Sequence, residues 1–350
     1  MKKLLAVLLA AVLLLGLAAC SPINGKNAVA VLWSGDGIVK IPNSLINAME
    51  RAMYIENIAY TNFGANGNVA AQVKQAKQAL DSGCAALMVE PINEDAAVQI
   101  TALAKAKDTP VLFFNNAVSE ATLQSYDKAL LVATDTTSLG KVMGENIKTY
   151  VEDTVFANEK TLKAIDRNGN GEISYIIFGD VGDTLKYVSD KMKPADPEQA
   201  VLTTNDLDEK MKYLLANFND ERKNTVELII TDSDEAALTV LRHLQAAGFN
   251  KDKLTTHNIP VFTVGADADA KAFAVTDAMT EEDVKQLLFS TVNLVDANKI
   301  TAVTLANEDA IAETAAAILA NIIQGKSAMD GIENATGKQK VLIPYTTYSK

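Results

Sequence analysis

Residues 166–174, with the sequence Asp-Arg-Asn-Gly-Asn-Gly-Glu-Ile-Ser, have residue types and spacing that indicate metal chemistry. Side-chain oxygens at positions 1, 3 and 5, a glycine at position 6 and a backbone carbonyl at position 7 are the pattern of a calcium loop. Ser174 at position 9 can coordinate directly or through water. Position 12 should be a bidentate glutamate, but Ile177 stands there, so an acid from elsewhere is needed. A plain Asn-Gly turn before a strand is the alternative that remains open.

Polar side chains follow several of the predicted strands, at the point where each apolar run ends. Carboxylate and amide groups suit sugar hydroxyls, because their oxygens accept hydrogen bonds and amides also donate them. The alternative is that these residues are the N-caps of the helices that follow. This capping role is expected most strongly for Asp234 and Asp267. By its position, Asn115 is expected to face a ligand. The full set comprises Ser34, Asp36, Asn115, Asp135, Asp180, Asp183, the segment 232–234 and Asp267.

No pattern in the sequence indicates an enzyme. The turn from Gly179 to Gly182 lacks the lysine of a P-loop and the third glycine of a dinucleotide fingerprint. No histidine accompanies a candidate nucleophilic serine, so we expect binding without catalysis. His243 and His257 have no cysteine or second histidine at metal-binding spacing, and Cys84 begins an apolar run, as a small core residue does.

The elements that position these residues alternate between apolar runs and helical patterns. This rhythm predicts βαβ units and mostly parallel sheets. There are about ten such repeats, more than one ordinary sheet holds, so we expect two lobes with the ligand cleft at the carboxyl ends of their strands. Predicted strands cover 28–33, 85–89, 111–114, 130–133, 173–178, 226–231, 260–264 and 341–344; predicted helices cover 69–80, 96–106, 139–150, 235–247 and 310–323; residues 152–171 are expected to be irregular.

The N-terminus has the pattern of an export signal. Lys2 and Lys3 precede an apolar run over residues 4–17, which leads into Ala-Ala-Cys20. A positive start, a short apolar stretch and small residues before a cleavage point are typical of such signals. The cysteine resembles the bacterial lipobox, which implies cleavage before Cys20 and a lipid on its sulfur. An ordinary signal with a chance cysteine is the alternative.

Composition narrows the classes of partner. A net charge of −12 argues against nucleic acid. An acidic surface also suits a soluble protein that is held near an anionic membrane without adhering to it. Once Cys20 carries lipid, only Cys84 remains, so no intrachain disulfide is expected.

The chain resembles the galactose/glucose-binding periplasmic proteins, which are type I sugar-binding proteins of ABC importers. The likeness covers most of residues 28–350 and implies an α/β fold of two Rossmann-like lobes with parallel sheets, joined by three crossings. The expected organisation is a signal peptide (1–19), a lipidated tether (20–27), an N-terminal lobe (28–134 with 306–342) and a C-terminal lobe (135–305 with 343–350). Five segments carry the resemblance: 110–115, 125–135, 166–174, 259–262 and 343–345.

The resemblance also completes the calcium loop. In the family the missing ligand is a glutamate at the start of a later strand, and Glu227 stands at that place. The implied structural calcium site consists of Asp166, Asn168, Asn170, the carbonyl of Glu172, Ser174 and Glu227.

The sugar pocket matches the family less closely. Asn115 carries over as a hydroxyl partner, whereas Asp183 stands where the family has a histidine and Ser233 where it has an asparagine. Gly265 and Ala306 replace a binding Asp and Asn, with Asp267 and Asn307 close by. The segment 202–210 lacks the family's stacking tryptophan; Trp33, Asp36, Phe63 and Tyr187 are possible replacements, each equally suited to the core or surface. The predicted ligand-binding set is Asn115, Asp36, Trp33, Ser34, Asp183, Ser233, Asp267 and Asn307.

The function implied by the resemblance is that of an extracytoplasmic substrate-binding lipoprotein of an ABC importer. We expect a galactose-like or glucose-like monosaccharide in the interlobe cleft, an importer permease as partner, attachment to the membrane through the N-terminal lipid, and a monomer. The alternatives are the same fold with a pentose, an autoinducer-like sugar or a nucleoside, or a sensor that carries its ligand to a chemoreceptor.

Overall fold

The computed structural model describes residues 28–35, 43–195, 201–202, 207–216, 226–251, 258–265, 294–295 and 298–349. These residues divide into two units. The first unit contains residues 28–35 and 47–133 together with Asp309–Leu342. The second unit contains the described parts of Thr134–Glu308, residues 343–349 and residues 43–46. The long segment of the first unit therefore ends at Ala133, and the chain returns to this unit at Asp309. The sequence analysis predicted these two boundaries at residues 134 and 306.

Strands and helices alternate along both units. The strands are β1 (Val29–Trp33), β2 (Tyr60–Gly64), β3 (Ala86–Val89), β4 (Val111–Asn115), β5 (Ala129–Asp135), β6 (Ile173–Phe178), β7 (Met192–Pro194), β8 (Val201–Leu202), β9 (Leu228–Thr231), β10 (Val261–Val264), β11 (Ala302–Leu305), β12 (Ala335–Thr336), β13 (Lys340–Pro344) and β14 (Thr346–Ser349). The α-helices among the described residues are α1 (Asn43–Ile55), α2 (Val69–Asp81), α3 (Glu94–Ala106), α4 (Glu120–Gln124), α5 (Leu139–Thr149), α6 (Glu159–Ile165), α7 (Leu207–Ala216), α8 (Asp234–Ala246) and α9 (Glu308–Ile323).

The first unit is built on a sheet with the strand order β12-β13-β5-β4-β3-β1-β2. The pairs β1/β2, β1/β3, β3/β4 and β4/β5 are parallel, and β12/β13 is antiparallel. Strands β1 and β3 are buried along their whole length, since helices cover both faces of a parallel sheet. Parallel pairing brings the carboxyl ends of β1, β3 and β4 to one edge of this sheet.

The second unit is built on a sheet with the order β14-β11-β10-β9-β6-β7, with β8 also paired to β6. Strand β6 is parallel to β7, β8 and β9, β9 to β10, and β10 to β11, while β14 is antiparallel to β11. The predicted α/β class with mostly parallel sheets is therefore confirmed.

The prediction of irregular structure over residues 152–171 is wrong for its first part. A π-helix, Tyr150–Phe156, continues α5, and α6 follows it. The polar residues here hid the helical period, but Val151 and Val155 are fully buried and anchor the π-helix to the core.

Several further elements also had no counterpart in the sequence analysis, namely α1, α4, α7, β2, β7, β8, β11, β12 and β14. Strand β2 was not predicted because it is polar and partly exposed: it lies at the edge of the sheet, where β1 is its one partner among the described strands. Such an edge strand lacks the continuous apolar run of a buried strand.

Candidate functional site

The oxygen-rich loop predicted to bind calcium lies between α6 and β6. Asp166 follows the last residue of α6, and Ser174 is the second residue of β6. Glu227 directly precedes β9, the parallel neighbour of β6. Its backbone N–H donates to the carbonyl of Ser174 at 2.7 Å. This strand pairing brings a residue 53 positions away in sequence to the loop.

Side-chain oxygens of the loop accept hydrogen bonds from the loop's own backbone N–H groups. Oδ1 of Asp166 and Oδ1 of Asn168 both accept from the N–H of Asn170, at 3.1 and 2.9 Å. Oδ1 of Asn170 accepts from the N–H of Glu172 at 2.9 Å. Gly171, at position 6, has φ +77°, a left-handed conformation that favours glycine. The structure thus brings together the loop residues predicted from the sequence and Glu227, which the family resemblance implied.

The carboxylate of Glu227 connects the two ends of the loop. Oε1 accepts from the N–H groups of Arg167 and Asn168 at 2.6 and 3.2 Å, and Oε2 accepts from the N–H of Ser174 at 2.9 Å. The side chain is fully buried. Burial raises the pKa of the Glu227 carboxyl; the three backbone hydrogen bonds oppose this rise, and the nearby charge of Asp166 adds to it.

The donor set suits a hard cation. Among the described residues, no three or more His, Cys, Asp or Glu side chains are grouped so that they could hold a metal ion by themselves. The loop together with Glu227 offers two carboxylates, two side-chain amides, a hydroxyl and a backbone carbonyl, which are all oxygen donors of the kind that calcium prefers. Arg167 is the basic residue of the loop; burial lowers the pKa of its guanidinium, while the charge of Glu227 opposes this shift. These residues therefore fit calcium.

A second polar group lies at the carboxyl edge of the first unit's sheet. Glu90 directly follows β3, between Ser34 after β1 and Asn115 at the end of β4. Its carboxylate is almost fully buried, with 4% of the residue exposed. Oε2 accepts from the N–H and Oγ of Ser34 at 3.1 and 2.6 Å, and Oε1 accepts from Nδ2 of Asn115 at 2.7 Å. Two of the predicted ligand residues are thus held by one carboxylate.

Sequence reasoning missed Glu90 as a site residue. The available signal was a charged residue directly after the apolar run that predicts β3, followed by Pro91. A buried carboxylate requires partners, and strands β1 and β4 on either side of β3 supply them. Gln72 holds the backbone of Glu90 in place, because its Nε2 donates to the carbonyl of Glu90 at 2.8 Å.

Asn115 has an uncommon backbone conformation. Its φ is +61°, and the N–H of Asn116 donates to the carbonyl of Phe114 at 2.7 Å, which closes a γ-turn around Asn115. A γ-turn with positive φ is rare and strained, and such strain concentrates at functional sites. The turn ends β4 and leaves Asn115 partly exposed.

Trp33 lies inside the first unit. It is 6% exposed, its ring packs edge-on against Phe114 with 5.1 Å between centroids, and its Nε1 donates to Oδ1 of Asn62 at 3.1 Å. These contacts favour the core role over the ligand-stacking role considered for Trp33. Phe63 also packs against the core of the first unit and stays partly exposed.

In the second unit, Ser233 is the N-cap of α8, so the expectation that Asp234 caps this helix is wrong. Oγ of Ser233 accepts from the N–H of Ala236 at 3.4 Å and donates to Oδ1 of Asp232 at 3.0 Å. Oδ2 of Asp232 accepts from the N–H of Asp180 at 3.1 Å. The cap role of Ser233 leaves its binding role a prediction.

Asp183 and Tyr187 flank a 3₁₀ turn over Thr184–Lys186 that packs against α5. Asp183 forms an ion pair with Lys186 at 3.2 Å. Gly140 and Gly144 of α5 permit this approach, because a Cβ atom at Gly140 would overlap Asp183 and one at Gly144 would overlap the turn and Tyr187.

The remaining predicted positions divide into described and undescribed residues. Asn307 follows β11 at the carboxyl edge of the second sheet. Asp36, Asp267, His257 and Cys20 lie outside the described residues. Cys84 is a buried free cysteine, and burial raises the pKa of its thiol to about 11, as suits an inert core residue. His243 lies on α8 with Nε2 2.6 Å from Oδ1 of Asp208.

Within the part of the chain that is described, none of the helices combines the length and apolar character needed to cross a membrane.

Comparison with known proteins shows the family. The chain matches the periplasmic binding protein domain over residues 29–327. The D-galactose/methyl-galactoside binding periplasmic protein of Haemophilus influenzae is 25% identical over 281 residues, which cover 77% of this chain and 74% of that protein.

Two solved structures share the fold. An ABC transporter solute binding protein from Clostridium phytofermentans with bound β-D-glucose has a TM-score of 0.53 at 16% identity, covering 92% of this chain and 94% of that one. The Caulobacter myo-inositol binding protein has a TM-score of 0.52 at 13% identity, covering 95% and 96%. Since the family match spans most of the chain, this protein belongs to the periplasmic binding protein domain family, and its resemblance to the type I sugar-binding proteins of ABC transporters is confirmed.

Proposed function

We propose that this chain is the extracytoplasmic substrate-binding component of an ABC importer, and that it binds a monosaccharide related to galactose or glucose without transforming it. The observation that carries the proposal is the hydrogen-bonded group of Ser34, Glu90 and Asn115 at the carboxyl edge of the first unit's sheet. In open α/β sheets ligands bind at this edge. The Haemophilus influenzae relative, named for D-galactose and methyl-galactoside binding, supports a hexose as the ligand.

Binding at this edge rests on hydrogen bonds to sugar hydroxyls. Asn115 is held in position by Glu90 and by its own turn, so little conformational entropy is lost when a ligand binds. Its Oδ1 accepts from a hydroxyl, and Ser34 offers a second oxygen nearby. No bond of the sugar needs to break, which agrees with a transport role.

The identity of the sugar is the finer part of the proposal. The family's stacking tryptophan has no counterpart at residues 202–210, and Trp33 is buried. The Caulobacter and Clostridium structures are described with myo-inositol and β-D-glucose bound. Both ligands are neutral rings bearing several hydroxyls, so inositol and pentoses belong in any test beside the hexoses.

We also propose that the loop at residues 166–174 and Glu227 hold a structural calcium ion. The support is the convergence of oxygen donors, with the buried Glu227 carboxylate beside that of Asp166. A cation between them would offset their mutual repulsion and the cost of burial. When bound, calcium would tie the end of α6 to the start of β9.

Membrane attachment through Cys20 and docking to an importer permease complete the proposal. The attachment is supported by the export-signal pattern of residues 1–20. A chemoreceptor is a further partner for a protein of this kind. Mass spectrometry of the membrane-extracted protein tests the anchor: a diacylglyceryl adduct on Cys20 is expected, and an N-terminus without lipid would contradict it.

The direct test of the sugar is thermal unfolding of the purified chain, with Cys20 replaced by Ser, against D-galactose, D-glucose, L-arabinose, myo-inositol and a nucleoside. A ligand at 100 times its dissociation constant adds about 2.7 kcal/mol to the free energy of unfolding. Stabilisation by galactose or glucose is the expected result. Stabilisation by the nucleoside alone would replace the sugar assignment.

A further inference from the structure

Glu90 is a carboxylate that two of the predicted ligand residues of the first unit, Ser34 and Asn115, share. Strand β3 lies between β1 and β4, so the residue after β3 reaches both neighbours at the same edge. It is 4% exposed, and its oxygens accept from Ser34 and Asn115 only through uncharged donors. Among the described residues no Lys, Arg or His forms an ion pair with it. The negative charge at this edge is therefore not balanced by a side chain of the described part.

These bonds fix which atoms face a ligand. A carboxylate accepts hydrogen bonds, so the amide of Asn115 must turn its Nδ2 toward Glu90 and its Oδ1 away. In the same way, the hydroxyl hydrogen of Ser34 points to Oε2, which leaves lone pairs of Oγ for other partners. The edge thus presents acceptor oxygens in front of a buried negative charge.

We infer that Glu90 is a specificity-determining residue, which makes this edge select neutral, hydroxyl-rich ligands and reject anionic sugar derivatives such as uronates and sugar phosphates. The inference rests on the proposed sugar-binding function and deepens it. Hydroxyl groups of a neutral sugar supply the hydrogens that Asn115 Oδ1 and Ser34 Oγ need. An anionic group has none to give, and it is repelled by the charge of the buried Glu90 carboxylate, which solvent screens little.

The test compares dissociation constants measured by isothermal titration calorimetry for the purified chain. The neutral probes are D-galactose, D-glucose and myo-inositol, and their anionic counterparts are D-galacturonate, D-glucose 6-phosphate and myo-inositol 1-phosphate. We expect the neutral sugar that binds best to bind at least tenfold more tightly than its anionic counterpart. Equal or tighter binding of the anion would overturn the inference while leaving sugar binding intact.

The variant Glu90→Gln distinguishes a role of Glu90 in ligand selectivity from a role in supporting the fold alone. It removes the charge but keeps the size of the side chain, so the ratio of neutral to anionic affinity should fall at least fivefold. A residue that only supports the fold would weaken both ligands by the same factor and leave the ratio unchanged, which would overturn the role of Glu90. The matched control Glu56→Gln makes the same change at an exposed position of the first unit and should leave the ratio as it is.

Failure of the proposed function has a different signature. If none of the neutral sugars binds the wild-type chain, the sugar assignment is wrong and the inference falls with it. The wild-type comparison needs no variant, so equal or tighter binding of the anionic probe would overturn the inference even if Glu90→Gln did not fold.

Discussion

Glu227 and Ser174 exchange two hydrogen bonds: the N–H of Glu227 donates to the carbonyl of Ser174 at 2.7 Å, and the N–H of Ser174 donates to Oε2 of Glu227 at 2.9 Å. The first is part of the pairing between β6 and β9, and the second places the carboxylate against the loop. The same ladder that builds the sheet therefore supplies the acid that the loop lacks in its own sequence.

This relationship predicts how the protein responds to calcium. Calcium at 100 times its dissociation constant should stabilise the wild-type chain by about 2.7 kcal/mol, and a chelator should remove that gain. In Glu227→Gln the chelator should have no effect, because a neutral amide cannot replace the bidentate carboxylate. Thermal unfolding with calcium and with chelator measures both.

The control for the calcium experiment is Glu152→Gln, which removes one negative charge from an exposed position of the second unit. It should keep the full chelator response. A wild-type chain that unfolds at the same temperature with calcium and with chelator would show that hydrogen bonds alone hold the loop.

Asn115→Gly should weaken sugar binding by about 10–100-fold, since it removes a hydrogen-bonding amide worth roughly 1–3 kcal/mol. Glycine accepts the φ of +61° without strain, so the backbone turn should persist. The same change at Asn57, which has φ +54° and is exposed, is the matched control and should leave affinity unaltered. Calorimetric titration decides; equal affinities for the two variants would remove Asn115 from the site.

Trp33→Phe should cost about 1–3 kcal/mol of folding free energy but change sugar affinity less than threefold. The reason is that Trp33 fills the core beside Phe114 and bonds to Asn62, so its loss leaves a cavity and an unpaired amide oxygen. Urea unfolding followed by circular dichroism measures the first effect and calorimetry the second. A tenfold loss of affinity with unchanged stability would instead identify Trp33 as the stacking face.

Gly179→Ala should destabilise the second unit by about 1–3 kcal/mol more than Gly248→Ala. Both glycines have nearly the same left-handed backbone, with φ of +95° and +96°. A Cβ atom at Gly179 would overlap the carboxylate of Asp232, whereas one at Gly248 meets no atom within 4 Å. The difference between the two variants in the free energy of unfolding, measured with urea, therefore reports the steric overlap with Asp232. Equal losses of stability in the two variants would show that Asp232 moves aside freely.

The sequence by itself determined the fold class, most of the buried strands and the oxygen-rich loop, because apolar runs and ligand spacing are local properties of the chain. Residues 166–174 indicate a metal loop without any knowledge of the sheet. The resemblance to the family supplied Glu227, and the pairing of β6 with β9 places its side chain at the loop.

Only the tertiary structure decided the roles that depend on neighbours distant in sequence. Glu90 became a site residue because strands β1 and β4 flank β3 and bring Ser34 and Asn115 to it from 56 and 25 positions away. Trp33 became a core residue because Phe114 and Asn62 surround it. Strand order and burial are set by contacts between distant segments, so no local pattern of residue types could have specified them.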